Sequence, residues 1–452
     1  QTSPYLAFNV LYRGALAESF AIALLPVVIY TMNKALTNKS VKWCAIASLS
    51  LGSLIYSHNT TALLVMPLIL MLILFSCIKE NSYKNIIKGG LSILLALLIS
   101  AHFWMPALFE RHLVKTEQLL VPPVFSYETN FLSATNLFAL PYIVQTNLIN
   151  PSPPKALGLF SATLAICGLL VLLAKNRAHG KTVFSLVVPV FGLGALVYLL
   201  LTLQISQPVW DFIPLLKFVQ FPWRTLGVAT LCCSVLSGGI LLLFNNKTQA
   251  MVACVVVFCL SYFTHLSWWN PRYCTEFQEI TLASMLDYEY NTATVGTSAK
   301  GEFTPKTTGF YPTDFSVSNK LKEQSKPFRI LGIPKNASFQ IINQDPLDHL
   351  IIIETNEPFQ ATYQMVYYLG WKITVDGNPQ PLKLTNPHGL IGFDVPKGTH
   401  TVRIHFGSTP IRVTASVLSG LSLFVLFFIL LSPKYAFSKT QHPNTDPFGY
   451  SI

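Results

Sequence analysis

The chain has 452 residues, 51% of them hydrophobic and only 11% charged, against roughly 25% charged in an ordinary soluble domain. That deficit excludes a soluble globular enzyme and points to an integral membrane protein. Lys and Arg total 31 against 20 Asp and Glu, a formal charge of +11; in such a chain the excess is loop bias across a bilayer, and no nucleic-acid partner is expected.

The chain opens at Gln1 without an initiator Met, and Gln1 to Leu11 reads as a loop leading into a membrane helix, so an upstream portion of the natural protein is expected. Apolar runs of about 20 residues then predict nine spans. They are Ala15 to Ala35, Trp43 to Tyr56, Thr60 to Ile78, Ile87 to Ala107, Ala156 to Ala174, Val183 to Leu203, Arg224 to Phe244, Ala250 to Leu266 and, after a long polar region, Val413 to Leu431. The connections after spans one, three, five, seven and nine carry Lys34, Lys39 and Lys42; Lys79, Lys84 and Lys88; Lys175, Arg177 and Lys181; Lys247; and Lys434 and Lys439. Alternating spans put all of these on one side, which the positive-inside rule assigns to the cytoplasm. The other side receives Tyr12 to Ser19, Ser57-His58-Asn59, the loop from Phe109 to Lys155, the Gln204 to Trp223 connection and the polar region. In a bacterium that side is the periplasm or outer surface, so the chemistry or recognition is expected to be extracytoplasmic.

The polar region from Trp269 to Pro410 changes period. Asp348 to Glu354, Gln360 to Tyr368, Trp371 to Val375, Leu390 to Val395 and Thr401 to Phe406 are strand-length runs bounded by turn residues, and Asp376-Gly377 has hairpin chemistry. The predicted organisation is a transmembrane domain over 1–268, an antiparallel, sandwich-like β-domain over 269–410, a final helix over 411–432 and a cytoplasmic tail over 433–452.

Candidate chemistry gathers on the outer face. Arg13 and Glu18 sit in the first turns of a membrane helix, where an ionised side chain needs either the water interface or a purpose. On a continuous helix five residues separate them by about 140°, so they are not expected to pair with each other. His58 stands where two spans meet and reads as a phosphate ligand, an acid or base, or part of a helix cap through its neighbour Asn59. Pro106 is expected to bend or end the fourth span, with Glu110, Arg111 and His112 beyond it either as a solvated ion pair or as a binding rim. Asp211 to Arg224 is amphipathic, holds two prolines and is too short to cross, so it lies along the interface. Arg224 either snorkels to headgroups or holds a phosphate with its planar fork. Cys44, Cys77, Cys167, Cys232, Cys233, Cys254 and Cys259 lie in apolar segments and Cys274 just beyond one. No CxxC, HExxH or GxSxG pattern occurs, so neither a zinc nor a serine hydrolase is supported. No cofactor is implied, and dependence on a divalent metal is left open.

Four stretches together resemble a known family: Tyr12-Arg13-Gly14-Ala15-Leu16-Ala17-Glu18, Ser57-His58-Asn59, Gln220-Phe221-Pro222-Trp223-Arg224, and Tyr367-Tyr368-Leu369-Gly370-Trp371-Lys372 followed by Val375-Asp376-Gly377. They are similar to the bacterial membrane proteins called 6-pyruvoyl-tetrahydropterin-synthase-related and, more widely, to the YfhO-like, GT-C-type glycosyltransferases. The resemblance implies a polytopic α-helical, GT-C-like bundle of about nine spans with an extracytoplasmic β-domain. It further implies transfer of a sugar from a polyprenyl-phosphate donor to an extracytoplasmic glycan, lipid or protein acceptor in envelope glycan assembly. A lipid or glycolipid transporter, or a noncatalytic assembly protein, is the alternative. In that family a catalytic Asp or Glu lies in the first outer loop, upstream of this chain's start, so no catalytic residue is assigned. Arg13, Glu18, His58, Asn59, Glu110, Arg111, Gln220, Trp223 and Arg224 are the expected substrate-binding residues.

Overall fold

Long Leu, Ile, Val and Ala runs without interior charge form helices whose backbone groups bond within the segment, the condition for residence in a bilayer. A computed structural model describes residues 3–117, 125–139, 154–179, 186–265, 281, 284, 288, 303–308, 330–385 and 389–432. Cys274, most of the long loop beyond 117, most of the polar region before 330, and the tail from 433 lie outside these residues. Helix is present within each of the nine expected spans. Leu16–Thr37, Asn59–Glu80, Pro222–Leu243, Lys247–Thr264 and Pro410–Leu431 are by themselves long and apolar enough to cross a membrane, while Val41–Ser57, Leu159–Lys175 and Val188–Leu200 are apolar but shorter. The expected fourth span is two helices, Lys84–Ile99 and Ala101–Phe109, and counts as a sixth crossing if the pair is one broken span. The break falls at Ser100 and not at Pro106, which stays inside the second helix. The Ser100 hydroxyl bonds back to the Ala96 carbonyl at 2.8 Å, a contact that loosens and bends helices.

The chain divides into two units: residues 1–101, 122–275 and 418–452, and residues 102–121 and 276–417. In the first, the helices share one apolar core that includes Leu25, Met32, Leu51, Leu54, Leu68, Ile69, Val228 and Cys232. Polar bonds add specificity where apolar surface alone gives little preference among neighbours. Thr31 and Ser50 hydroxyls meet at 2.8 Å between adjacent helices, and the Tyr198 hydroxyl donates to the Leu64 carbonyl at 2.5 Å.

The second unit carries two antiparallel sheets. Their strands are β1 (Ile330–Leu331), β2 (Ser338–Asp345), β3 (Asp348–Thr355), β4 (Phe359–Val366), β5 (Trp371–Val375), β6 (Asn378–Gln380), β7 (Lys383–Thr385), β8 (Leu390–Val395) and β9 (Gly398–Phe406). One sheet runs β1-β4-β8-β7 and the other β2-β3-β9-β5-β6. Alternating residues turn inward, as strand geometry requires: Ile351, Ile353, Tyr363, Trp371, Ile373, Phe393, Val402 and Ile404 form a single core. Each such buried apolar side chain contributes roughly 1.5–3 kcal/mol. All five expected strands are present, and Asp376-Gly377, both at positive φ, turns β5 into β6. Four strands were not expected. Of these, β2 is mostly exposed at a sheet edge and β1, β6 and β7 are two or three residues long, so none carries a strong inward-facing period.

Within this unit an ion pair closes the base of the β-domain. Glu110 is 3% exposed. It accepts from Arg412 Nε at 3.1 Å, from Arg412 Nη2 at 2.7 Å and from the Thr409 hydroxyl at 2.5 Å. The Arg412 guanidinium also lies 5.2 Å from the Phe406 ring and 5.4 Å from the Tyr368 ring. Glu110→Ala strands Arg412 without its carboxylate and should cost about 3–5 kcal/mol, whereas Glu110→Leu with Arg412→Met should cost far less. Thermal unfolding of the purified protein in detergent checks this: a single variant as stable as the double one contradicts it.

Candidate functional site

The site begins with a break in the chain direction. Pro4–Ala7 is helical, Phe8–Tyr12 forms a π turn, and the Arg13 N–H closes that turn on the Phe8 carbonyl. Gly14 then takes φ +62° with nothing near its missing side chain, so glycine serves the backbone angle here and not the space. Ala15 N–H returns to the Asn9 carbonyl at 2.8 Å, and the long helix starts at Leu16. Arg13 and Glu18 are therefore not on one helix, and the expected 140° separation does not apply. Arg13 Nη1 bonds Glu18 Oε2 at 2.9 Å and Asn9 Oδ1 at 2.6 Å. The two residues pair directly, contrary to the expectation from continuous helical spacing.

Glu18 is 3% exposed and its two carboxylate oxygens are heavily used. The Tyr5 hydroxyl donates to Oε1, and Asn9 Nδ2 does so at 3.4 Å. Arg224 Nε stands 3.4 Å from Oε2 as an ion pair. Burial, reinforced by the Glu18 charge and hydrogen bond, pushes the Tyr5 hydroxyl far above its ordinary range, so it remains a donor. Tyr5, Asn9 and Arg13 recur every four residues, the spacing of one helical face, so one short segment delivers three partners to one carboxylate.

Arg224 also fixes an unusual turn. Gln220 has φ 66° and ψ −40°, and Phe221 N–H bonds the Val219 carbonyl at 2.7 Å. This is the rare γ-turn geometry, strained for any residue with a side chain. Arg224 Nη1 bonds the same Val219 carbonyl at 2.9 Å and Gln220 Oε1 at 3.4 Å, and its guanidinium lies 5.0 Å from the Phe221 ring. Pro222 follows at the first position of a 3-10 turn, where its missing N–H costs nothing.

Aromatic rings join the cations. Trp223 packs edge-on to Tyr5 and Phe8 and stacks on Phe221 at 4.8 Å. Arg13 lies 4.7 Å and Lys155 5.1 Å from its ring centre, and Lys155 is 5.4 Å from Phe8. Burial, and then the nearby Arg13 charge, lower the Lys155 pKa. Beside Phe8 and Lys155 is a cavity of about 540 Å³ whose other walls include Thr129, Asn130, Thr135 and Asn136. In the 3-10 turn that carries Thr129, Tyr127 stacks on buried Trp210 at 5.7 Å and donates to Asp211; that bond pushes the Tyr127 hydroxyl up to about 12.

Of the expected residues, Arg13, Glu18, Gln220, Trp223 and Arg224 form this one network, and His58 lies within the electrostatic reach of Glu18, Arg224 and Arg13. His58 itself caps the helix Asn59–Glu80, its Nδ1 accepting from Thr61 N–H at 3.2 Å, while Asn59 is exposed in the first turn. Glu110 and Arg111 belong to the second unit, where Arg412 takes Glu110 and Arg111 is exposed. Sequence reasoning missed Tyr5, Asn9, Phe8, Phe221 and Lys155. The four-residue spacing of Tyr5, Asn9 and Arg13 was the available signal for two of them; Lys155 had none.

A family model, the 6-pyruvoyl-tetrahydropterin synthase related domain, described as a membrane protein, matches residues 2–237, the stretch that holds every member of this network. No curated protein and no solved structure matches the chain.

Because His58 Nδ1 accepts a hydrogen bond, the neutral ring carries its proton on Nε2. Burial lowers its pKa, Glu18 opposes this, and Arg224 and Arg13 add to the lowering. The folded value thus lies below the ordinary one near 6.5, so His58 contributes its full stability above that pH. As pH falls through the folded value the unfolded chain has bound more protons, and that contribution is lost. His58→Asn keeps a capping side chain. Between about pH 8 and about pH 5 its melting temperature should therefore fall less than that of the wild type; parallel declines would refute the assignment.

Proposed function

The chain belongs to the membrane protein family of the 6-pyruvoyl-tetrahydropterin synthase related domain, and from that premise we propose that it is a GT-C-type glycosyltransferase-like protein of a bacterial cytoplasmic membrane. In this reading it takes a sugar from a polyprenyl-phosphate donor and passes it to an extracytoplasmic glycan, lipid or protein acceptor, with the β-domain on the acceptor side. The observation that carries the reading is the charge balance of the network: Arg13 and Arg224 share a single carboxylate at the end of apolar helices, and Lys155 adds a third cation on the other side of the Trp223 ring cluster. Such a wall favours an anion whose remainder is apolar.

Glu18 in this scheme is not the base that activates the acceptor hydroxyl. Its oxygens already accept from Tyr5 and Arg13 and face Arg224, so it holds the arginines in place. The guanidinium edge of Arg13 turned away from Glu18 is available to a phosphate leaving group, whose growing charge a preorganised cation stabilises. Trp223 and Phe221 supply apolar surface beside it. Gln220, His58 and Asn59 frame the same wall, and Glu110 and Arg111 serve the β-domain's attachment and rim.

One observation favours the second reading, a lipid or glycolipid transporter or a noncatalytic assembly protein: the one carboxylate in the network is fully engaged. Purified full-length protein supplied with a labelled polyprenyl-phosphate sugar and membrane-extracted acceptors separates the two. Transfer should be observed, and Arg13→Ala should reduce it by about 100-fold while still unfolding cooperatively. Equal transfer by that variant removes Arg13 from the site, and donor binding without transfer by the wild type selects the noncatalytic reading.

A further inference from the structure

The three cations of the network are not equivalent. Arg13 and Arg224 are both committed to Glu18, and Arg224 also to Val219 and Gln220. Lys155 is different. Among the described residues its ammonium meets ring faces, Phe8 and Trp223, and no carboxylate or carbonyl. Ring faces compensate a lysine only partly, because the ammonium is strongly hydrated in water and the quadrupole returns a fraction of that. It is also held near a like charge, Arg13. Among the described residues this half-buried cation has no anionic neighbour.

The adjoining cavity supplies the rest of a binding site. Its volume, about 540 Å³, is within the usual range for small-molecule sites. Lys155 and Phe8 line it, and Asn136 contributes a neutral amide beside Thr129, Asn130 and Thr135, whose side chains hold bonds within their own turns. Among the described residues no acidic side chain lines it. Neutral amides and hydroxyls opposite an aromatic ring match a polyol, which presents hydroxyls on its edges and C–H groups on its faces. A lone cation at one end matches a phosphoryl group. The neighbouring Trp223 Nε1–H, buried and without a hydrogen-bond partner among the described residues, is a further unmet donor in the same aromatic cluster.

We propose that this cavity binds a phosphorylated sugar, with Lys155 holding the phosphoryl oxygens and the Asn136 side holding the sugar hydroxyls. The inference rests on the phosphorylated ligand of the preceding section and adds Lys155 to Arg13 as a phosphate contact. The shared chemistry is a phosphoryl group joined to a polyol, either free or attached to a lipid. An anion at Lys155 offsets both its desolvation and its repulsion from Arg13, so affinity should fall with added salt.

The test is calorimetric titration of the detergent-solubilised full-length protein with three probes: α-glucose 1-phosphate, farnesyl phosphate and inorganic phosphate. Lys155→Gln and Lys155→Arg are compared with wild type, and thermal unfolding confirms that each is folded. Lys155→Gln should weaken binding of the phosphorylated probes by about tenfold or more, the usual scale for one charge-assisted contact, and Lys155→Arg should recover most of it. Lys155-dependent binding of glucose 1-phosphate alone supports the cavity and removes the lipid-linked ligand. Farnesyl phosphate binding that Lys155→Gln leaves unchanged overturns the cavity and preserves the amphiphile reading. Binding of none of the probes by wild type overturns both.

Discussion

The structure around the first long helix depends on the burial of one carboxylate. An ionised group taken out of water loses several kcal/mol of solvation, and it is tolerated only where opposite charge and hydrogen bonds replace that solvation. Glu18 satisfies this with Arg13, Arg224, Tyr5 and Asn9. These residues come from chain segments more than 200 positions apart, so the entry segment, the helix it leads into and the Gln220 to Arg224 turn are fixed by a common requirement. The π turn, the positive φ of Gly14 and the strained γ-turn at Gln220 are the backbone consequences. Each re-aims a side chain toward one point, and each is tolerated because the ion network over-determines the local conformation.

The second unit answers the same problem in a simpler way. Glu110 and Arg412 form a two-point pair, and the planar fork of arginine, with Phe406 and Tyr368 against it, makes that geometry definite. Above it, the β-domain is held by an ordinary apolar core, Trp371 and Tyr363 included. The two ion networks differ in what they leave over. Glu110 and Arg412 balance, whereas the Glu18 network carries surplus positive charge beside a polar cavity.

Much of the architecture was legible from one residue at a time. Runs such as Asn59 to Glu80 and Pro410 to Leu431 identify themselves by uninterrupted apolarity, and the alternation in Asp348 to Thr355 and Trp371 to Val375 reads as half-buried strand. Asp376-Gly377 announces its turn because few residue pairs accept two positive φ values. Short or exposed strands such as β2 and β6 gave no such pattern, because their place in the sheet is set by their partners and not by burial of their own side chains.

The cluster of Arg13, Glu18, Trp223 and Arg224 was also visible, since charge beside apolar helix is rare enough to stand out. What the sequence by itself determined, then, is composition-driven: a membrane bundle, an antiparallel β-domain and a set of charged candidates. Only the tertiary structure decided how those candidates are used. It brought Arg13 onto Glu18 by breaking the helix at Gly14, gave Glu110 to Arg412, made His58 and not Asn59 the cap, and set Lys155 against Phe8 and Trp223. The physical reason is that periodicity records which face of a regular element is apolar, whereas charge pairing depends on irregular turns and on distances between segments remote in the chain, which no local pattern encodes.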